Sequence, residues 1–155
     1  MYKRWVVSVP HTGTRFLCKV LNADWSHTGG GYPKKEIIFR DNIVFSPIRN
    51  PSEVWQSWLR REGNNGVVNL GRFNEFWRNL GNLDSRYKLH YIHIDHPSRD
   101  DELAAASELL EEELSADWGK RPGQVPKKEW DGPIPKVDWD FIYDLPMIKG
   151  RYERS

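Results

Sequence analysis

From Trp5 to Val9 the chain is almost continuously apolar, and the run stops at Pro10. An apolar run this short predicts a strand covered on both faces, as in a parallel sheet, so helices must pack on either side of it. Pro10-His11-Thr12-Gly13-Thr14-Arg15 follows at once. Phe16, Leu17, Val20 and Leu21 then recur at helical spacing and predict a helix from about Gly13 to Asn22. A strand, a short polar loop and a helix in this order leave unpaired backbone N–H groups at the helix start. Those donors and the helix dipole suit an anion, with the dipole contributing roughly 0.3–2 kcal/mol per charge. Gly13 lets the backbone approach a ligand closely, and Thr12 and Thr14 add hydroxyl donors. An ordinary strand–helix turn capped by threonine would read the same way.

The rest of the chain alternates between strand and helix signals. Ala23 to Lys35, with Gly29-Gly30-Gly31 and Pro33, reads as a loop. Ile37-Ile38-Phe39 and Ile43 to Ile48 are strand candidates. Asn50-Pro51-Ser52-Glu53 is a helix start, with a capping asparagine, a first-turn proline and an acid placed to meet the dipole. Val54, Trp55, Trp58 and Leu59 mark that helix's buried stripe, and Leu70 to Leu80 predicts another helix. Leu89 to Ile94 is a strand. Ser98-Arg99-Asp100-Asp101 resembles a capping box, with Leu103, Ala106, Leu110 and Leu114 continuing as a helix. Residues 119–137, rich in proline and basic side chains, read as a lid or linker, and 138–153 as a C-terminal helical segment interrupted by Pro146. The alternation predicts one α/β domain over 1–155, with a central, mainly parallel sheet flanked by helices.

Charge and composition narrow the partners. A net charge of +1 gives no global field for nucleic acid or an anionic membrane, so any basic site must be local. No apolar run approaches the ~18–20 residues that span a bilayer, and Trp5-Val6-Val7 is too short for a signal peptide; a cytoplasmic protein is expected. Cys18 is the single cysteine, which leaves no internal disulfide and no multi-cysteine metal set; it reads as a small apolar helix residue. Eight tryptophans are more than the core of such a chain demands, and some would suit an aromatic ligand rim or a protein interface.

The loop lacks the lysine of G-x-x-x-x-G-K-[ST]. It resembles instead the 5′-phosphosulfate loop of the sulfotransferases, P-K-S-G-T-T-W, here Pro10-His11-Thr12-Gly13-Thr14-Arg15-Phe16. A second segment, Arg49-Asn50-Pro51-Ser52-Glu53-Val54-Trp55-Gln56-Ser57, is similar to that family's R-N-P-x-[DE]-V-x-x-S and directly follows an apolar strand. The resemblance covers about Trp5 to Arg61. It implies a pared-down, three-layer P-loop-like domain and a donor, 3′-phosphoadenosine 5′-phosphosulfate, with adenosine 3′,5′-bisphosphate as product and no metal. His11, Thr12, Gly13, Thr14 and Arg15 would then hold the 5′-phosphosulfate, and Arg49 with Ser57 the 3′-phosphate.

Two departures bear on catalysis. His11 replaces the loop lysine that contacts the transferring group; an imidazolium can do that work, or the change can mean lost chemistry. Phe16 stands where the family has an adenine-facing tryptophan, and it also reads as a plain helix core residue. The resemblance further implies a base ahead of Arg49. His27 is the first candidate, with Asp24 and Asp41 as runners-up. The acceptor would be a hydroxyl or amine on a small molecule, carbohydrate or protein. Lys120-Arg121-Pro122-Gly123 loosely resembles the basic loop that closes over the donor. His90, His93 and His96 suggest a metal, but a strand turns the first two to opposite faces. Glu111-Glu112-Glu113 reads as a solvated helix face. A non-catalytic nucleotide-binding module and a P-loop phosphotransferase are the competing functions.

Overall fold

A computed structural model describes residues 3–28, 39–65, 70–119 and 131–154. Four strands, β1 (Lys3–Ser8), β2 (Asp24–His27), β3 (Asn42–Ile48) and β4 (His90–His93), form one all-parallel sheet in the order β2-β1-β3-β4. Between them run α1 (Thr14–Leu21), α2 (Pro51–Asn65), a 3₁₀ turn at Leu70–Arg72 and α3 (Phe73–Arg86). Helices α4 (Arg99–Leu110) and α5 (Trp139–Tyr143) follow β4. The strand period of two divides the core into two layers. Val7, Val9, Val44 and Ile48 pack with Val54, Trp55, Trp58, Phe73, Trp77 and Leu80. Val6, Phe45 and Ile92 pack on the other face with Leu17, Leu21 and Leu103. The result is the three-layer α/β architecture that the strand–helix alternation predicts.

Local signals set several boundaries. Helix α1 buries Leu17 and Leu21 completely, roughly 1.5–3 kcal/mol each, and ends at Asn22, a left-handed residue with φ 50°. Asn50 opens α2 as expected. Its carbonyl accepts from the Glu53 amide at 2.9 Å, and its Oδ1 accepts from the Ser52 amide at 3.3 Å and the Tyr143 hydroxyl at 2.5 Å. Leu70 to Leu80 is helical, with a 3₁₀ first turn, and continues to Arg86.

Other expectations change. Asp24–His27 is a strand, not loop. Edge strands bury little and need no apolar run, and Asp24 and Trp25 are indeed exposed. Phe39 belongs to a helical turn and stacks on Tyr87 at 4.2 Å, whereas Ile37 and Ile38 lie outside the described residues. Ser98 makes no side-chain cap; its hydroxyl donates to Glu102 at 3.2 Å. Helix α4 stops at Leu110, with Glu111 left-handed at φ 52°, so Glu111, Glu112 and Glu113 are not a helix face. Three acids at a helix C-terminus oppose the dipole, which accounts for the stop. Glu112 pairs instead with Arg4, and that hydrogen bond holds its carboxyl below the ordinary range. Helix occupies only Trp139–Tyr143 of 138–153, and turns follow Asp144. Of the lid or linker, 120–130 lies outside the described residues, as does Lys120-Arg121-Pro122-Gly123.

The segment after α5 is strapped across the ends of β3 and β4. Besides Tyr143 on Asn50, the His93 Nε2–H donates to the Met147 carbonyl at 2.7 Å, and Tyr152 donates to Asp95. Glu102 anchors the strap: it accepts the His93 backbone N–H at 2.9 Å, lies 2.7 Å from His93 Nδ1, and meets Arg151 at 3.5 Å. Burial alone would raise the Glu102 carboxyl, but the His93 hydrogen bonds and Arg151 hold it below its ordinary value of 4.5. Because the folded value is depressed, this stability is fully present above pH 4.5 and is lost as pH falls. Urea midpoints measured at neutral pH and below pH 4.5 should drop less in Glu102→Gln than in the wild type. An equal drop in both would remove Glu102 from the acid response.

Candidate functional site

In a parallel sheet every strand delivers its C-terminus to one edge, and the loops there form the binding crevice of open α/β folds. The loop after β1 lies on that edge. The Thr12 hydroxyl donates to the Val9 carbonyl at 2.7 Å, and the Trp58 indole N–H donates to the Pro10 carbonyl at 3.1 Å, which ties the loop to α2. His11 and Gly13 both have positive φ, 69° and 91°. A Cβ on Gly13 would also lie 2.7 Å from Ile94 Cδ1, so the close turn favours glycine twice over. The Gly13 carbonyl accepts the first helical bond, from Leu17 at 3.0 Å, and Gly13, at the N-cap, has no side chain with which to cap the turn. The first amides of α1 therefore have no intrahelical acceptor.

Three residues from the two segments that carry the resemblance, His11, Arg49 and Ser57, converge here. His11 Nδ1 lies 2.8 Å from Ser57 Oγ on α2. Arg49, at the end of β3, donates through Nη1 to the His11 carbonyl at 3.4 Å. Its other nitrogen is 3.9 Å from Glu53, an exposed acid, so that ion pair contributes little. Thr12 and Thr14 are buried, with Thr14 Oγ1 2.6 Å from Ser8 Oγ. Arg15 is exposed on the first turn of α1.

The candidate bases separate by topology. His27 closes β2 at the loop edge, paired in register with Ser8, rather than sitting in the loop expected over Ala23 to Lys35. Its ring lies 4.8 Å from that of Trp25 and 3.3 Å from Ser8 Oγ through Nδ1. Asp24 pairs with Trp5, about 10 Å along the strand at ~3.3 Å per residue. Asp41 precedes Asn42, which pairs with Lys3. Both carboxylates belong to the far end of the sheet, away from the loop, and neither can serve as the runner-up base.

The remaining single residues are absorbed by structure. His93 is used by Glu102 and Met147, and His96 Nδ1 lies 2.8 Å from Ser98 Oγ. Among the described residues no cluster of His, Cys, Asp and Glu has a metal-binding arrangement. Burial, then the Asp24 charge, pushes the Cys18 thiol up to about 11, so it is a protonated thiol near neutral pH. Phe16 is buried, its ring 5.6 Å from that of Trp118. A cavity of about 380 Å³ lies beside β4, lined by Tyr91, His93, Glu102, Ala106, Met147 and Arg151 among others, and includes none of the loop residues. No described helix is long and apolar enough to cross a membrane.

Ser8 carries no motif, yet it touches both Thr14 and His27. The available signal was its place as the one polar residue in the Trp5–Val9 run. Trp58 looked like core alone, and its tether to Pro10 has no local signature. Comparison with protein-family models, curated proteins and solved structures gives no match.

Proposed function

We propose that the chain transfers a sulfuryl group from 3′-phosphoadenosine 5′-phosphosulfate to a hydroxyl or amine acceptor. The observation that carries this reading is the meeting of His11, Arg49 and Ser57 at one helix start, from segments 38 and 46 positions apart. The residues present fit the donor. The uncapped amides of α1 and the Thr14 hydroxyl suit the 5′-phosphosulfate, and Arg49 with Ser57 suits a second phosphate. His27 takes the acceptor proton as the acceptor atom bonds to sulfur. The bond from sulfur to the 5′-phosphate oxygen breaks in the same step, and that oxygen leaves with adenosine 3′,5′-bisphosphate. His11 as an imidazolium donates to the departing oxygen. Positioning and charge stabilisation supply most of the rate. A cytoplasmic setting goes with this reading, since the single cysteine leaves no internal disulfide.

His11 in place of the family's lysine favours one second reading, a module that binds the nucleotide without turnover. The donor site is tested first by thermal shift with adenosine 3′,5′-bisphosphate against ADP. At 100 times the dissociation constant, binding stabilises by ~2.7 kcal/mol. For a domain of this size that is a rise of roughly 5–10 °C. Arg49→Ala should lose the preference for the bisphosphate over ADP. Equal shifts with both nucleotides in the wild type would end the donor assignment. Binding without turnover against any acceptor would leave the second reading.

A further inference from the structure

We propose that Ser8 is a positioning residue that sets the tautomer of His27 and couples it, through Thr14, to whether an anion occupies the loop. The inference rests on the donor-site reading above. Ser8 is fully buried, so water cannot replace its partners. Its Oγ stands between Thr14 Oγ1 at 2.6 Å and His27 Nδ1 at 3.3 Å. A serine hydroxyl has one hydrogen to give, and a neutral imidazole has one N–H. If Ser8 donates to His27 Nδ1, the ring hydrogen must sit on Nε2, and that nitrogen cannot act as a base. If Ser8 donates to Thr14, Nδ1 supplies its own hydrogen to Ser8, and Nε2 carries the lone pair that takes a proton.

Thr14 decides between these states. Its hydroxyl belongs to the first residue of α1, where an anion would meet the uncapped amides. When that hydroxyl donates to a phosphate oxygen, its lone pairs turn to Ser8, Ser8 turns its hydrogen to Thr14, and His27 becomes the base. An empty loop imposes no such direction. The chain of two hydroxyls thus makes the base competent when the donor is in place. The Ser8 and Thr14 hydrogens only change the partner they face, whereas the imidazole proton leaves Nε2 to water and another is taken up at Nδ1, so the ring gains and loses one proton with no net change.

The ring ¹⁵N shifts of His27, recorded where imidazole is neutral, report the tautomer directly. Adenosine 3′,5′-bisphosphate and inorganic phosphate serve as probes, with thermal shift as an independent measure of binding. In the wild type, saturation should move His27 toward the Nδ1–H form. Ser8→Ala should still bind the probe and lose this response. Thr14→Ser should keep the response and Thr14→Val should lose it, which holds the test open if Ser8→Ala does not fold. An unchanged tautomer in the saturated wild type, or a full response in Ser8→Ala or Thr14→Val, overturns the proposal. A response to inorganic phosphate without any binding of the bisphosphate supports the coupling and removes the donor reading. Absence of binding by either probe overturns both.

Discussion

His27→Ala is expected to lower turnover by about 10²–10⁴-fold, the range a positioned general base contributes, while leaving the thermal shift with adenosine 3′,5′-bisphosphate unchanged. The two halves of that result follow from where the residue stands. His27 ends the edge strand β2 and approaches the loop through Ser8, and it is not one of the Arg49, Ser57 and α1 amide groups proposed for the donor. Removing its ring takes away a proton acceptor and leaves the anion site intact. No other described candidate can substitute, because Asp24 and Asp41 belong to the opposite end of the sheet. Steady-state rates with any acceptor found to be sulfated, set beside bisphosphate binding, decide the matter. Full turnover in His27→Ala would take the base role from it, and loss of bisphosphate binding would show that the ring supports the donor site.

The largest stability effect is expected at Trp77. It is fully buried in the layer shared by α2, α3 and the sheet, with the Phe73 ring 6.2 Å away. Trp77→Ala removes a side chain whose space the surrounding aromatics cannot refill, at a cost of ~3–5 kcal/mol. At this chain length the melting temperature falls by roughly 6–20 °C. Trp77→Phe should be far milder, within ~1.5 kcal/mol. The indole N–H is buried with no hydrogen-bond partner among the described residues, so losing it offsets part of the lost contact. Urea unfolding of both variants measures the difference. Comparable damage from the two substitutions would mean that the indole's shape, rather than its apolar bulk, is what the core requires.

The parts of this molecule that the sequence made legible are those with a local cause. The apolar run before Pro10 is a strand because both its faces are covered, and Asn50-Pro51 opens α2 because its groups satisfy that helix's own first turn. The turn between β1 and α1 was readable for the same reason, since strand end, glycine and helix start lie within a few positions. What stayed hidden depends on distant neighbours. Strand β2 is polar because an edge strand needs only one partner, and no window around Asp24–His27 shows that partner. Asp24 and Asp41 stood as runners-up to His27 until the parallel register placed them toward the other end of the sheet. The contact of His11 with Ser57 spans 46 positions and arises only when α2 packs beside the loop. Helix α4 ran short because apolar spacing through Leu114 predicts its face but not the unfavourable charge at its end.

Glu102 has one more consequence, for how the protein lives among its own copies. The Ile94 amide donates to Ile48 on β3, so by strand alternation the neighbouring His93 amide points away from the sheet. On an open edge such a donor invites a strand from another molecule. Here the Glu102 carboxylate already occupies it at 2.9 Å. A side chain from the following helix thus ends the hydrogen-bonding ladder where a stranger could otherwise extend it. The anchor that holds the strap across the sheet also shields that end of the edge from self-association.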